Sequence, residues 1–320
     1  MRKVGVLAGT AAAAGLLALP VLFAPAMVEA STLPMALWGA YGHHIAARAA
    51  IDHLPRGMPR FFRKARNQLV YLSPEPDRWR SRELKEMDDA WEFDHYIDLE
   101  NVPEGALNEP DRFEFLEVLF EAGIERPQQF VGFLPFRIVE VYQRLQTEFA
   151  LWRNAESRRE RKYVEARVLN DAGILAHYAA DAAQPHHTTI HFNGWAENVP
   201  NPRGFSTERD FHARFESAFV EAHIVYEDVG DRMAPEPLEL GDVRQAVLSH
   251  VRESNASVEQ MYELEQAFGF EPEEAHPETR EFTIQRLTAG AEMLRALWWR
   301  AWLDSEGLAA RMRETRMGRG

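Results

Sequence analysis

Three histidines and an aspartate lie within eleven residues near the middle of the chain: His177, Asp181, His186 and His187, with Pro185 between them. His177 and Asp181 are four residues apart, so a helix would place their side chains on one face. Pro185 predicts the end of that helix, which lets His187 approach from a loop. Imidazole and carboxylate groups are zinc ligands, and the chain has no cysteine to supply a thiolate. The segment therefore predicts a metal site.

Residues of the same chemical types recur elsewhere in the sequence. His212 and Glu216 form a second pair four residues apart, and His43, Asp77 and His95 lie upstream of the central segment. Any one such pair is more often an ion pair or a hydrogen-bonded core histidine than a metal site. The combination of all of them is what favours a metal-binding function.

The elements that must position these residues are predicted to be helices. Apolar residues recur every three or four positions from Leu134 to Phe149 and from Leu287 to Trp302. No alternating strand pattern, internal repeat or linker is evident, which predicts one all-α domain over residues 38–308 and a basic, frayed tail over 309–320. Further helices are predicted over 42–54, 57–70, 111–122, 160–183, 208–225 and 240–265.

Composition limits the possible partners. The net charge is −14, so the chain as a whole does not attract phosphate backbones or anionic membranes. A local cationic site, such as one formed by bound metal, could still bind phosphate. Without cysteine there are no disulfides, so packing, together with any bound metal, must stabilise the fold. No protein partner is implied.

The N-terminus has the pattern of an export signal. Arg2 and Lys3 precede an uncharged apolar run from Val4 to Val28, and Ala30 ends a small-x-small cleavage motif. Residues 1–37 are therefore expected to be a signal peptide with a short pro-segment, and the protein to be secreted or periplasmic. The run is long enough that an uncleaved membrane anchor is the alternative.

A long irregular stretch, Thr188 to Glu208, follows the central segment. Loops of that length are usually either functional or disordered. We expect it to form one wall of a substrate cleft, and the alternative is a flexible surface loop. The candidate cleft residues are Tyr41, His191, Phe192 and Trp195.

The order of the motifs resembles the zinc-dependent phospholipase C and single-strand-specific nuclease superfamily. The resemblance spans Trp38 to Glu216, and members are all-α proteins with three zinc ions at the bottom of a cleft. It is carried by the motifs Trp38–His43, Pro76-Asp77, His95-Tyr96-Ile97-Asp98, His177 to His187, and His212 to Glu216, and the segment Gly132-Phe133-Leu134-Pro135 is also similar.

The resemblance implies a full set of ligands for three zinc ions per chain. Asp77, His95, His177 and Asp181 would hold the first. Asp181 would bridge to the second, completed by His43 and by the backbone amine and carbonyl of Trp38. The third would be bound by His187, His212 and Glu216, with His187 favoured over His186 by spacing.

The implied reaction is the hydrolysis of a phosphodiester. A zinc-bound hydroxide would attack phosphorus, and Asp77 would orient it as the catalytic residue. One departure concerns Trp38, which family members usually present as a new N-terminus. Cleavage after Ala30 leaves Ser31–Leu37 attached, so either a second proteolytic trim or ligation by the carbonyl alone is required.

Several residues bear on the choice of substrate. Glu216 is typical of the phospholipase branch, whereas nucleases usually have aspartate there and a Gly-Gly-Asn stretch that Phe192–Trp195 does not match. The short spacing from Trp38 to His43 is more typical of nucleases. We expect a phospholipase C-type phosphodiesterase acting on phospholipids. The alternatives are a single-strand-specific nuclease and a non-catalytic helical protein that uses zinc as a structural staple.

Overall fold

A computed structural model describes residues 39–81 and 83–317, and within these residues the regular elements are helices, with no strand. This confirms the predicted all-α class. Trp38, the predicted export segment 1–37 and residues 318–320 lie outside the described residues. None of the helices in the described part of the chain is long and apolar enough to cross a membrane.

Fourteen α-helices, five 3-10 turns and one π-helical segment are assigned in the described residues. The α-helices are α1 (Ala40–Asp52), α2 (Arg60–Lys64), α3 (Arg66–Leu72), α4 (Lys85–Trp91), α5 (Arg112–Glu121), α6 (Pro127–Phe130), α7 (Leu134–Asn154), α8 (Arg158–Asp181), α9 (Phe211–Ala213), α10 (Val220–His223), α11 (Tyr226–Gly230), α12 (Val243–Asn255), α13 (Val258–Phe268) and α14 (Pro277–Met317). The 3-10 turns are Pro76–Trp79, Glu92–Asp94, Leu99–Asn101, Ala106–Asn108 and Pro185–Thr188, and the π-helix is Arg214–Phe219.

The core lies where α7, α8 and α14 pack against one another. The predicted apolar stripes of α7 and α14 are buried in it, and the indole of Trp298 donates to the backbone oxygen of Ala172 at 3.2 Å. Every residue of α8 from Asp171 to Asp181 is buried. Gly290 of α14 allows close packing there, because a Cβ at this position would lie 3.2 Å from the Cβ of Ala183. The end of α8 is therefore enclosed by other helices.

Several predicted helix boundaries need correction. The helix predicted over 57–70 is divided into α2 and α3 at Ala65, and the one predicted over 240–265 is divided into α12 and α13 by a turn at Ala256 and Ser257. The predicted frayed tail is wrong as far as Met317, because α14 continues to that residue. Asn154 at the end of α7 stabilises this extension by donating to the backbone oxygen of Ala309 at 2.9 Å.

The region from Thr189 to Asp210 contains no helix, as the sequence predicts. Its centre packs on α13: Trp195 and Phe205 are buried together with Tyr262. Tyr262 also donates to the backbone oxygen of His191 at 2.6 Å. The loop is thus part of the packed structure.

His250 of α12 lies buried against the backbone of α8, where it forms a hydrogen bond to Ala179. Its Nε2 atom has no hydrogen-bond partner among the described residues. Burial first, and the charge of Arg286 second, lower the pKa of His250 from 6.5 to about 4. The folded protein therefore resists protonation of this ring.

We predict that His250 makes the metal-free protein acid-sensitive. Above pH 6.5 the ring is neutral in both states, but as the pH falls from 6.5 to about 4 only the unfolded chain takes up the proton. The free energy of unfolding should fall by up to roughly 3 kcal/mol over this range from His250 alone. Urea unfolding at several pH values, with a chelator present, should show a shallower fall for His250→Gln.

The matched control is His53→Gln. His53 is half-exposed, and its ring also hydrogen-bonds a backbone oxygen, that of Ala49, at 2.9 Å. The control should keep the native slope, and equal slopes for all three proteins would contradict the role assigned to His250.

Candidate metal centre

The described predicted ligands converge on one buried region from six parts of the chain. They form three groups in which one ligand atom of each residue lies within 4.8 Å of the others. The groups are His43, His177 and Asp181; Asp77, His95 and His177; and His187, His212 and Glu216. All eight described candidates are thus brought together, and Trp38 lies outside the described residues.

His177 belongs to two of these groups and is oriented by the backbone. Its Nδ1 donates to the backbone oxygen of Ser73 at 3.0 Å, which leaves Nε2 with a free lone pair. That Nε2 lies 3.0 Å from Nδ1 of His95, 3.3 Å from Oδ2 of Asp181 and 3.5 Å from Oδ1 of Asp77. Three ligand-capable atoms, one from α8 itself and two from other segments, therefore face one imidazole nitrogen.

The two carboxylate oxygens of Asp181 face different neighbours. Oδ2 lies 3.1 Å from Nδ1 of His95, on the side of His177. Oδ1 lies 3.6 Å from Nε2 of His43, whose ring stacks on that of His177 at 4.0 Å. This is the arrangement that a bridging carboxylate requires.

The third group has a similar construction. Nδ1 of His187 donates to the backbone oxygen of His95 at 2.7 Å, so its Nε2 carries the lone pair. This Nε2 lies 3.2 Å from Nε2 of His212, which lies 2.9 Å from Oε2 of Glu216. Two nitrogens bound to one tetrahedral zinc are about 3.3 Å apart. The separation of the two rings therefore suits a shared ion.

His212 and Glu216 lie where α9 gives way to the π-helix Arg214–Phe219. π-Helical turns are rare and occur mostly at functional sites. The backbone N–H of His212 donates to Oδ1 of Asn193 at 3.2 Å, so the loop after His187 also holds the start of this helix.

The electrostatics of the centre favour a bound cation. Burial raises the pKa of Asp77 to about 7 and that of Asp181 to about 8. Burial likewise opposes the ionisation of Glu216, but His212 and His187 outweigh it and lower its pKa to about 2. Burial also lowers the pKa values of three histidine rings, and a neutral imidazole has a lone pair available for a metal ion. The three are His43, His95 and His177.

Many buried acceptor atoms in the centre have no hydrogen-bond partner among the described residues. Buried polar atoms without partners are costly, and a metal ion would satisfy these. The donor set of nitrogen and oxygen atoms fits zinc. The atoms include Nε2 of His43, Oδ1 of Asp77, Oδ1 of Asp181 and Oε1 of Glu216.

A close contact between α3 and α8 fixes the orientation of His177. A Cβ at Gly173, one turn before His177, would lie 2.3 Å from the Cβ of Leu72. Leu72 directly precedes Ser73, whose carbonyl receives the His177 hydrogen bond. Glycine at position 173 therefore allows the approach that orients the ligand.

A buried ion-pair network holds the segment that carries His95. Asp94 is 1 % exposed and accepts from Arg112 at 2.9 Å, and Arg137 lies 3.3 Å from it. On the other side, the backbone N–H of Leu134 donates to the oxygen of Tyr96 at 3.1 Å. The N-terminus of α7 and the Asp94 network together position His95.

The structure separates the two neighbouring histidines of the central segment. His187 joins the third group, as spacing predicts, whereas His186 belongs to none of the three. The His186 ring packs edge-on against Phe211 and Phe215 at 4.7 and 5.6 Å.

The predicted cleft residues differ in their surroundings. His191 and Trp195 are buried and stack on each other at 3.6 Å, so their rings are engaged in packing. Phe192 is 44 % exposed. Tyr41 is half-buried, and its hydroxyl donates to the backbone oxygen of Ile224 at 3.1 Å. Of the four, Phe192 presents the most surface to a ligand.

Sequence reasoning missed residues that support the ligands. Gln184 is fully buried, and its Nε2 lies 3.4 Å from Oε2 of Glu216. Arg80 is half-buried beside Asp77, whose backbone oxygen accepts from the Arg80 N–H at 3.2 Å. Position next to a ligand motif was the only available signal for both.

Comparisons of the chain with models of protein families, with curated proteins and with solved structures give no match.

We predict that Gly173→Ala weakens both the fold and metal binding. The added methyl must push α8 away from Leu72, which should lower the free energy of unfolding by about 1–3 kcal/mol. The same displacement moves the Ser73 carbonyl from His177, so zinc affinity should fall as well. Urea unfolding of the metal-free protein and zinc titration against a chelator measure the two effects.

Gly241→Ala provides the control, because a Cβ at Gly241 meets no atom within 4 Å. It should leave both quantities close to native. Native zinc affinity in Gly173→Ala would show that the α3–α8 contact does not orient His177.

Proposed function

We propose that this chain is a zinc-dependent phosphodiesterase of the phospholipase C type, within the superfamily that its motifs resemble. The observation that carries the proposal is the convergence of eight predicted ligands into three groups. Two of the groups share His177, and Asp181 lies 3.7 Å from His187 of the third. Three protein ligands is also the number typical of catalytic zinc, whereas structural zinc sites are closed by four.

His43, Asp77, His95, His177 and Asp181 would hold two zinc ions, and His187, His212 and Glu216 would hold a third. Zinc bound there supplies positive charge that attracts a phosphodiester, polarises its oxygens and lowers the pKa of water. Among the eight residues, Asp77 and His212 have the most exposed side chains, at 22 % and 10 %. Substrate would therefore approach past these two residues.

Asp77 is suited to orient the attacking water. Its Oδ1 is buried near His177, while the side chain retains exposure that the other carboxylates lack. A carboxylate at the edge of the centre can accept a hydrogen bond from water and hold its proton as phosphorus is attacked. We therefore assign Asp77 both a ligand and a catalytic role.

Arg80 is suited to bind a non-bridging phosphate oxygen. It follows the turn that carries Asp77, and none of the described carboxylates pairs with its guanidinium. Its positive charge lowers the pKa values of Asp77, His177 and Asp181, and its backbone N–H donates to the oxygen of Asp77 at 3.2 Å. Arginine forms strong charge-assisted hydrogen bonds to phosphate.

Phospholipid is the preferred substrate for two reasons. Glu216 occupies the position where the resemblance implies the phospholipase branch, and its carboxylate lies within the third ligand group. The net charge of −14 opposes broad contact with a nucleic-acid backbone. A single-strand-specific nuclease is the alternative within the same superfamily.

We predict zinc-dependent cleavage of phosphatidylcholine. Activity should disappear with a chelator and return with zinc. Asp77→Asn should lower kcat by about 10²–10⁴-fold, the range of general acid–base contributions. His177→Ala should lose both activity and zinc, because its Nε2 serves two groups, whereas His223→Ala, a change at a half-exposed histidine outside all three groups, should keep both.

Parallel assays with single-stranded DNA and RNA separate the alternatives. Cleavage of nucleic acid without cleavage of lipid would favour the nuclease. Bound zinc without either activity would favour the structural staple, and full activity in His177→Ala would overturn the proposed centre.

We predict that Arg80→Ala lowers kcat/KM for phosphatidylcholine by roughly 10–100-fold. This is the effect expected from losing one hydrogen bond to a charged group. Zinc content should not change, because Arg80 is not a ligand. Arg80→Lys should recover part of the activity, and Arg56→Ala, which removes an exposed arginine elsewhere on the surface, should be neutral. Unchanged kcat/KM in Arg80→Ala would remove Arg80 from the substrate site.

A further inference from the structure

Glu100 binds the segment that follows His187. It lies in the 3-10 turn Leu99–Asn101, five residues after His95. Its Oε1 accepts from the hydroxyl of Thr189 at 2.6 Å, and its Oε2 accepts from the backbone N–H of Ile190 at 3.1 Å. One carboxylate thus holds two consecutive residues of another segment.

Asn255, the last residue of α12, also binds both Glu100 and the segment that Glu100 contacts. Its Nδ2 donates to Oε1 of Glu100 at 3.2 Å and to the backbone oxygen of Thr188 at 2.8 Å. Thr189 is fully buried, and its hydroxyl oxygen also accepts from the N–H of His191 at 3.2 Å. The contact therefore links α12, the turn at Glu100 and the start of the long loop.

The Glu100 contact is the outer end of a row of hydrogen bonds between the His95 and His187 segments. Nearer the centre, the N–H of Ile97 donates to the oxygen of His187 at 2.8 Å. Nδ1 of His187 donates to the oxygen of His95 at 2.7 Å. We name this row, from His95–His187 to Glu100–Ile190, the ligand seam. It joins a ligand of one predicted metal group directly to a ligand of another.

We propose that Glu100 is a positioning residue that, through the ligand seam, holds His187 with its Nε2 facing His212 and Glu216. The proposal rests on the proposed zinc centre. Zinc–ligand distances tolerate only about 0.2 Å of deviation, so a small rotation of the His187 segment is enough to weaken the third group. Residues outside the ligands that orient them typically contribute 10–100-fold to metal affinity.

The test is a zinc titration of the full-length, metal-free protein against a chelator of known affinity. Glu100→Gln keeps the size of the side chain but presents an NH₂ group where one carboxylate oxygen accepts a hydrogen bond. One of the three zinc sites should weaken by about tenfold, and the other two should keep their affinity. Glu104→Gln is the matched control, because Glu104 is exposed and has no side-chain partner among the described residues.

Thr189→Val keeps the size of the side chain but replaces the hydroxyl that donates to Glu100 and accepts from the N–H of His191. Thr189→Val should weaken the same zinc site as Glu100→Gln. The double variant should lose less zinc affinity than the two single losses added together, because both substitutions break the same contact. Cobalt(II) bound in place of zinc gives a visible spectrum that reports ligand geometry. Its bands should change in both single variants and remain native in Glu104→Gln.

Three results would count against the proposal. Native affinity for all three zinc ions in Glu100→Gln would overturn the positioning role and leave the zinc centre standing. Equal weakening of all three sites with a lower Tm of the metal-free protein, and a native cobalt spectrum, would assign Glu100 to general stability. A native protein that binds no zinc would overturn the proposed centre together with the role of Glu100.

Discussion

The buried candidate metal centre contains many hydrogen-bond acceptors and few donors to pair with them. Asp181 and Glu216 are essentially inaccessible to solvent, and imidazole nitrogens face them at about hydrogen-bonding distance. Taking such groups out of water costs several kcal/mol each unless a compensating charge or donor is present. A cation in the centre would convert this cost into a stabilising interaction. The surrounding helices bury Asp181 and Glu216, so water does not offset this cost.

Backbone carbonyls decide which imidazole nitrogen faces the centre. The oxygen of Ser73 holds His177, and the oxygen of His95 holds His187, so each ring presents Nε2 inward. Such orientation by neighbouring groups matters to metal affinity nearly as much as the ligands themselves. It also depends on close backbone approaches, since a Cβ at Gly132 would lie 2.2 Å from the oxygen of Tyr96, beside His95. Ligand geometry is therefore a property of the packing of whole segments.

Sequence periodicity carried enough information for the helical class and for the two ligand pairs at four-residue spacing. Those features are local, because one helix determines which residues share a face. The π-helical turn at Glu216 and the contact between Glu100 and Thr189 were not predictable, since both depend on tertiary contacts between distant segments. The continuation of α14 past Leu308 was missed for a similar reason: Asn154 binds it from another helix. Only the resemblance led us to expect that the predicted ligand motifs converge. It concerns their order along the chain and does not predict the contacts between them.

The direction of α8 adds a final electrostatic constraint. Asp181 is the last residue of α8 and His177 lies one turn before it, and the helix dipole makes the last turn partially negative. No basic residue lies in that turn, and Asp181 adds a further negative charge. A carboxylate at this end is disfavoured by the helix dipole, whereas a cation is stabilised by it. A bound cation would add positive charge at this end of α8, besides the charge of Arg80 that acts on Asp181. The 24-residue helix thus places His177 and Asp181 near an end whose dipole would favour a bound cation over an anion.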